Sequence, residues 1–198
     1  MGEDEVIVNT ISVPEPRARR ETGVAHILLS SDAVQARVRE LAREVDGWYP
    51  DETPLLVGVL TGAVSFMTDL MRAMQIPMIV DFMAVSSYGA STRSSGVVRI
   101  LKDLNDEIEG RHVVVVEDIV DSGLTLQYLL DVLERRNPAS LRVVALLKKE
   151  KPGAIDVQVD LIGFTIPDEF VIGYGLDYAG EYRNLPYVAV LDHTAIKD

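Results

Sequence analysis

Val113 to Leu126 read VVVVEDIVDSGLTL. Four successive valines are β-branched and apolar throughout, which marks a strand buried on both faces rather than one with a wet side. The run ends in two adjacent carboxylates, Glu117 and Asp118, and a third follows at Asp121. Ser122, Gly123, Leu124 and Thr125 then form a small-residue turn opening a helix that the apolar spacing carries through Leu133. In open α/β sheets ligands bind beyond the carboxyl ends of the strands, so these acids stand where a site is expected. Burying them is costly unless cations or hydroxyl groups satisfy them. The amides and hydroxyls at the helix start add a cradle for one phosphate. Helix capping accounts for a single Asp or Ser, not for two adjacent acids with a third close behind. Acids beside a phosphate cradle suit a sugar phosphate.

The same unit recurs upstream. LLVGVL (55–60) is a short apolar run, TGA follows, and Val64, Met67, Leu70, Met71 and Met74 recur at helical spacing before Pro77. Before it, Ser31 is expected to cap a helix with Val34, Val38, Leu41, Ala42 and Val45 on one face, ending at Asp46-Gly47. MIVDFMAV (78–85), VVRIL (97–101) and LRVVALL (141–147) read as further strands. SSYGASTRSSG (86–96), rich in Ser and Gly, reads as a long mobile loop. VDLIGF, FVIGYG and YVAVL are short apolar runs divided by Gly, Pro and Asp. Strands alternating with helices predict an α/β fold with a mostly parallel sheet covered on both faces.

The chain has 198 residues, of which 47% are hydrophobic, enough for one substantial core. Residues 1–24 mix acids, Pro14, Pro16 and the bases Arg17, Arg19 and Arg20, and read as a loosely held arm before a single domain at 25–198. That opening has neither the basic flank nor the apolar run of a signal peptide or membrane span, so a soluble, cytoplasmic protein is expected. With no cysteine, thiolate chemistry and thiolate metal sites are excluded. A net charge of −12 argues against a broad nucleic-acid surface and confines any phosphate site to a local pocket. Neither G-x-G-x-x-G after a strand nor G-x-x-x-x-G-K-[ST] is present, which disfavours dinucleotide and P-loop sites.

VVVVEDIVDSGLT resembles the phosphoribosyl-pyrophosphate motif of the type I phosphoribosyltransferases, and other segments are similar to their hypoxanthine-guanine branch. LLVGVLTGA resembles the strand and loop that hold pyrophosphate, SSYG the start of the loop that closes the site, and IPDEFVIGYGLDYAGEYRNLPYVAVL, with KDL, the purine-binding hood. The resemblance runs from about residue 26 to 191 and implies a mostly parallel central sheet flanked by helices, with a small C-terminal/N-terminal hood built largely from 150–191. It implies a magnesium-dependent transfer from phosphoribosyl pyrophosphate to hypoxanthine or guanine, with pyrophosphate released, in a homodimer or tetramer.

By the same resemblance Asp121 is the acid/base residue near purine N7, and Glu117 and Asp118 hold the ribose hydroxyls directly or through Mg2+. Ser122, Gly123, Leu124 and Thr125 take the 5-phosphate. Thr61 and Gly62 meet pyrophosphate with Arg183, and Asp177 is a second magnesium ligand. Ser87 and Tyr88 belong to the closing loop. Lys149 reads the 6-oxygen of the base, Phe170 stacks on it and the Val171 backbone meets its edge. Two positions depart from the pattern. Thr61 stands where many relatives carry Lys or Arg, so the amides of residues 61–63 and Arg183 are expected to hold pyrophosphate. Gly153 stands where relatives often carry Arg, with Lys151 as a substitute. The alternatives are a transferase preferring xanthine and a regulatory RNA-binding protein on the same fold; the acidic balance weighs against the second.

Overall fold

The computed structural model describes residues 23–87 and 98–192. Most of the expected arm, residues 1–22, therefore lies outside the described residues, and Val24 already belongs to a strand, β1 (Val24–Leu29). Helix α1 follows at Ser31–Trp48. Ser30, not Ser31, is its cap: the Ser30 hydroxyl accepts from the Ala33 N–H at 3.2 Å. The helix also runs past Gly47, because its last turn is held by packing, with the Arg142 guanidinium 4.6 Å above the Trp48 ring and Tyr49 buried beneath. The spacing was otherwise sound, and Val34, Val38, Leu41, Ala42 and Val45 are all buried.

The chain continues through β2 (Leu55–Leu60), α2 (Val64–Ala73), β3 (Ile79–Ser87), β4 (Val98–Lys102), β5 (His112–Val120) and α3 (Leu124–Glu134). It ends with β6 (Ser140–Glu150), β7 (Leu161–Pro167), β8 (Val171–Ile172) and β9 (Val188–Leu191). Six strands form one sheet in the order β4-β3-β2-β5-β6-β7, parallel except for β4 at one edge. The valine run of β5 feeds both faces, as a fully buried strand must. Val114 and Val116 enter the core shared with α1 and α2, while Val113 and Val115 enter the core shared with α3.

β1, β9 and β8 form a separate antiparallel sheet around Ile172, Leu185, Tyr187, Ala189 and Leu191. Residues 150–191 are thus divided: β7 extends the large sheet, and β8 and β9 join β1 from the other end of the chain. Successive parallel strands move outward in opposite directions from β2 and β5, so the loops after these two strands part and leave a crevice. Among the described residues no helix is long and apolar enough to cross a membrane.

Candidate active site

The crevice forms a cleft of about 290 Å³ between the large sheet and the small one. Thr61, Gly62, Asp118, Asp121 and Lys149 line it from the large sheet, and Phe170, Val171, Asp177 and Arg183 from the segment carrying the small sheet. Nine of the expected residues, from four separate stretches of chain (61–62, 118–121, 149 and 170–183), thereby meet in one space. Ile119 and Leu176 complete its walls; as ordinary apolar residues they carried no signal in the sequence. Glu117 is buried on β5 next to Asp118. Ser122, Gly123, Leu124 and Thr125 are not walls of the cleft; they form the turn directly after Asp121 and the start of α3. Gly123 has φ +78°, and no side chain caps the helix, which leaves its first-turn amides to a ligand or water. Ser87 closes β3, and Tyr88 lies outside the described residues.

Two glycines permit close approach at the cleft, Gly62 against Asp118 on the large-sheet side and Gly175 between the two sheets. A Cβ at Gly62 would overlap the Asp118 carboxylate, and one at Gly175, where φ is +101°, would overlap the Gly62 carbonyl oxygen. Of the loop amides expected to face an anion, Ala63 N–H donates instead to the Val59 carbonyl at 3.2 Å. That leaves Thr61 and Gly62, joined to Leu60 by a cis Leu60–Thr61 peptide. Arg183 is held in place: its Nη2 lies 2.6 Å from Asp177 Oδ1, and its Nη1 donates to the Gly175 carbonyl at 2.6 Å. Asp177 Oδ2 accepts from the Gly180 N–H at 2.8 Å. The Phe170 ring is 44% exposed at the mouth and meets Tyr178 edge-on.

Asp121 and Lys149 face each other, Lys149 Nζ standing 3.7 Å from Asp121 Oδ2. Lys151 donates to Asp121 Oδ1 at 2.9 Å, and both lysines also approach Asp168, at 3.6 and 3.8 Å. By the resemblance Lys151 stands in for a missing arginine; Asp168, within IPDEF, carries no signal in the sequence, where one more acid on a polar turn has no distinguishing pattern.

Glu117 and Asp118 are the uncomfortable groups. Burial, then the neighbouring Asp118 charge, raises the Glu117 carboxyl well above the usual range. Its Oε2 is buried without a hydrogen-bond partner. Burial also pushes Asp118 up to about 6, against the opposing Ile119 N–H bond at 2.8 Å. A carboxyl whose folded pKa is raised favours folding below its unfolded pKa, and that advantage is lost as pH rises toward 6. Asp118→Asn therefore stabilises the free protein at pH 7.5 by on the order of 3 kcal/mol, a gain that vanishes near pH 4. Urea unfolding at the two pH values measures it; equal effects at both would contradict this view of Asp118.

The residues suit a hard divalent cation held jointly with a ligand. Among the described residues no cluster of three acidic or imidazole groups could hold a metal by itself. Magnesium, however, is commonly bound through one or two carboxylates plus substrate oxygens, and Glu117 Oε2 lacks a partner.

Residues 25–179 match the family described as phosphoribosyl transferase domain. The chain is 49% identical to a hypoxanthine-guanine phosphoribosyltransferase of Mycobacterium avium, over 94% of this chain and 95% of that one. It is 50% identical to the bifunctional protein TilS/HprT of Listeria monocytogenes over 85% of its own length, but spans only 26% of that relative. A crystal structure of a hypoxanthine phosphoribosyltransferase from Staphylococcus aureus superposes with a TM-score of 0.87 at 37% identity, covering 93% of this chain and all of the other.

Proposed function

The chain belongs to the phosphoribosyl transferase domain family, and on that premise we propose that it is a purine-salvage enzyme joining hypoxanthine or guanine to 5-phosphoribosyl 1-pyrophosphate. The products are IMP or GMP and pyrophosphate. The observation that carries the reading is the pairing of Lys149 with Asp121 at 3.7 Å in a cleft that also presents the Phe170 ring. An ammonium and a carboxylate side by side match the 6-carbonyl and the neighbouring N7 of a 6-oxopurine, with Phe170 against the ring face and the Val171 backbone at its edge.

In this reading N9 of the base forms a bond to ribose C1 while the bond from C1 to the pyrophosphate oxygen breaks. The electron pair leaves with pyrophosphate, and Asp121 accepts the proton released at N7. Lys149 donates to the 6-oxygen; the 6-amino group of adenine offers no such acceptor. The amides and hydroxyls of residues 122–125 hold the 5-phosphate, and the Thr61 and Gly62 amides with Arg183 hold pyrophosphate. Glu117 and Asp118 hold the ribose hydroxyls, directly or through magnesium, and Asp177 is the second magnesium ligand. When bound, magnesium neutralises charge on the departing pyrophosphate. By the family resemblance Ser87 and Tyr88 take part in excluding water from the ribosyl centre. A cytoplasmic location and a homodimeric or tetrameric assembly complete the proposal.

Lys149→Met raises the hypoxanthine KM by about ten- to a hundredfold and leaves the phosphoribosyl pyrophosphate KM within about twofold. Steady-state kinetics with each substrate varied in turn checks this, and a change confined to phosphoribosyl pyrophosphate would remove Lys149 from the base site. The reading as a whole is tested by thermal unfolding with added nucleotides, because a ligand that binds only the folded state raises Tm. IMP and GMP should raise Tm, and AMP and UMP should not; equal shifts with all four, or none, would overturn it.

A further inference from the structure

We propose that Lys151 is a positioning and specificity residue that leaves Lys149 free to read the base by taking up the two carboxylates that would otherwise capture it. The inference rests on the functional reading above. Lys149 is the next-to-last residue of β6, which ends at Glu150, and Lys151 follows directly after the strand; both reach Asp121 and Asp168, whereas Lys148 approaches Asp156 instead. Asp121, Lys149, Asp168 and Lys151 close a ring of alternating charge. Its four links are unequal. Lys149 stands 3.7 and 3.6 Å from the two acids, ion-pair separations beyond hydrogen-bond length, so its N–H donors are not committed to either. Lys151 makes the one true hydrogen bond of the ring, 2.9 Å to Asp121 Oδ1.

The backbone fixes this arrangement. A tight turn places the Lys151 carbonyl 3.2 Å from the Ala154 N–H, with Gly153 at φ +79° inside it. The same turn is tied to the Asp121 loop by the Ile155 N–H donating to the Ser122 carbonyl at 2.9 Å. Lys151 is therefore held against Asp121 by a main-chain link between their loops, unlike a surface lysine that meets an acid by chance. The Asp121 carboxylate in turn holds the Lys151 ammonium above the usual lysine range.

Removal of Lys151 leaves Lys149, whose side chain is only 10% exposed, as the nearest counter-ion of two carboxylates. It then closes onto one of them, and its donors are spent before a base arrives. The expected result for Lys151→Met is a hypoxanthine KM raised about tenfold with the phosphoribosyl pyrophosphate KM within about twofold, and Lys151→Arg restoring the hypoxanthine KM. A purely structural role would move both Michaelis constants together and would show as a lowered Tm. An unchanged hypoxanthine KM, equal changes in both constants, or no rescue by arginine would overturn the inference. The unaltered protein is assayed alongside. Absence of turnover there would defeat the functional reading itself, whereas normal turnover with an indifferent Lys151→Met would defeat only the role of Lys151.

Discussion

Asp121→Asn is expected to lower kcat with hypoxanthine by about 10²- to 10⁴-fold, the usual worth of a positioned proton acceptor. The amide matches the carboxylate in shape and can still accept from Lys151, so the local geometry survives. It has no basicity with which to take the proton from N7. Phosphoribosyl pyrophosphate and IMP should bind within about threefold of their unaltered affinities, since neither leaves a proton to be removed. Pre-steady-state kinetics separates the chemical step from product release, and the loss should fall on the former. Full retained turnover would dismiss Asp121 as the acceptor. A matched loss of nucleotide binding would instead make it a binding residue.

Gly62→Ala should reduce kcat/KM for phosphoribosyl pyrophosphate by about 10²-fold or more. The added methyl would occupy the position of the Asp118 carboxylate, and the Gly62 carbonyl already leaves no room for a side chain at Gly175. The easiest relief is for Asp118 to swing away, because a short side chain yields more readily than the main chain of two loops. Asp118 would then lose its proposed contact with the ribose, and the cleft would lose its fit at the point where pyrophosphate departs. The fold has less to lose, since moving a reluctantly charged carboxyl toward water removes a penalty of burial. Tm should therefore fall little while activity falls steeply. A large drop in Tm with normal kinetics of the folded fraction would show that Gly62 serves stability and not the site.

The large sheet and its helices were legible because their residues report physical periodicities. The α1 stripe from Val34 to Val45 and the valine run of β5 are consequences of what each element must bury. The acids of the EDIVD stretch stood out because their cost demands compensation. Less legible was whatever depends on contacts between distant segments. Nothing local in VAHILL (24–29) indicates that it pairs with Val188–Leu191, since that register is decided between strands far apart in the chain. The commitment of the Ala63 amide to Val59 depends on the path of one turn, and the burial of Tyr49 beside Ser140 on how α1 meets β6. Asp168 is the instructive omission, since its chemistry exists only in relation to Lys149 and Lys151. The roles of Phe170, Asp177 and Arg183 came from family resemblance alone, because an isolated aromatic, acid or base carries no signal of its own.

The most direct measurement is nucleotide formation from phosphoribosyl pyrophosphate with hypoxanthine, guanine, xanthine, adenine and uracil in parallel, with magnesium and with the metal chelated. The account predicts IMP and GMP with equimolar pyrophosphate, nothing from adenine or uracil, and no product once magnesium is removed; the xanthine reaction ranks the 6-oxopurines. Turnover of adenine or uracil in place of hypoxanthine and guanine, or no nucleotide from any base by a protein that still binds IMP, would contradict it.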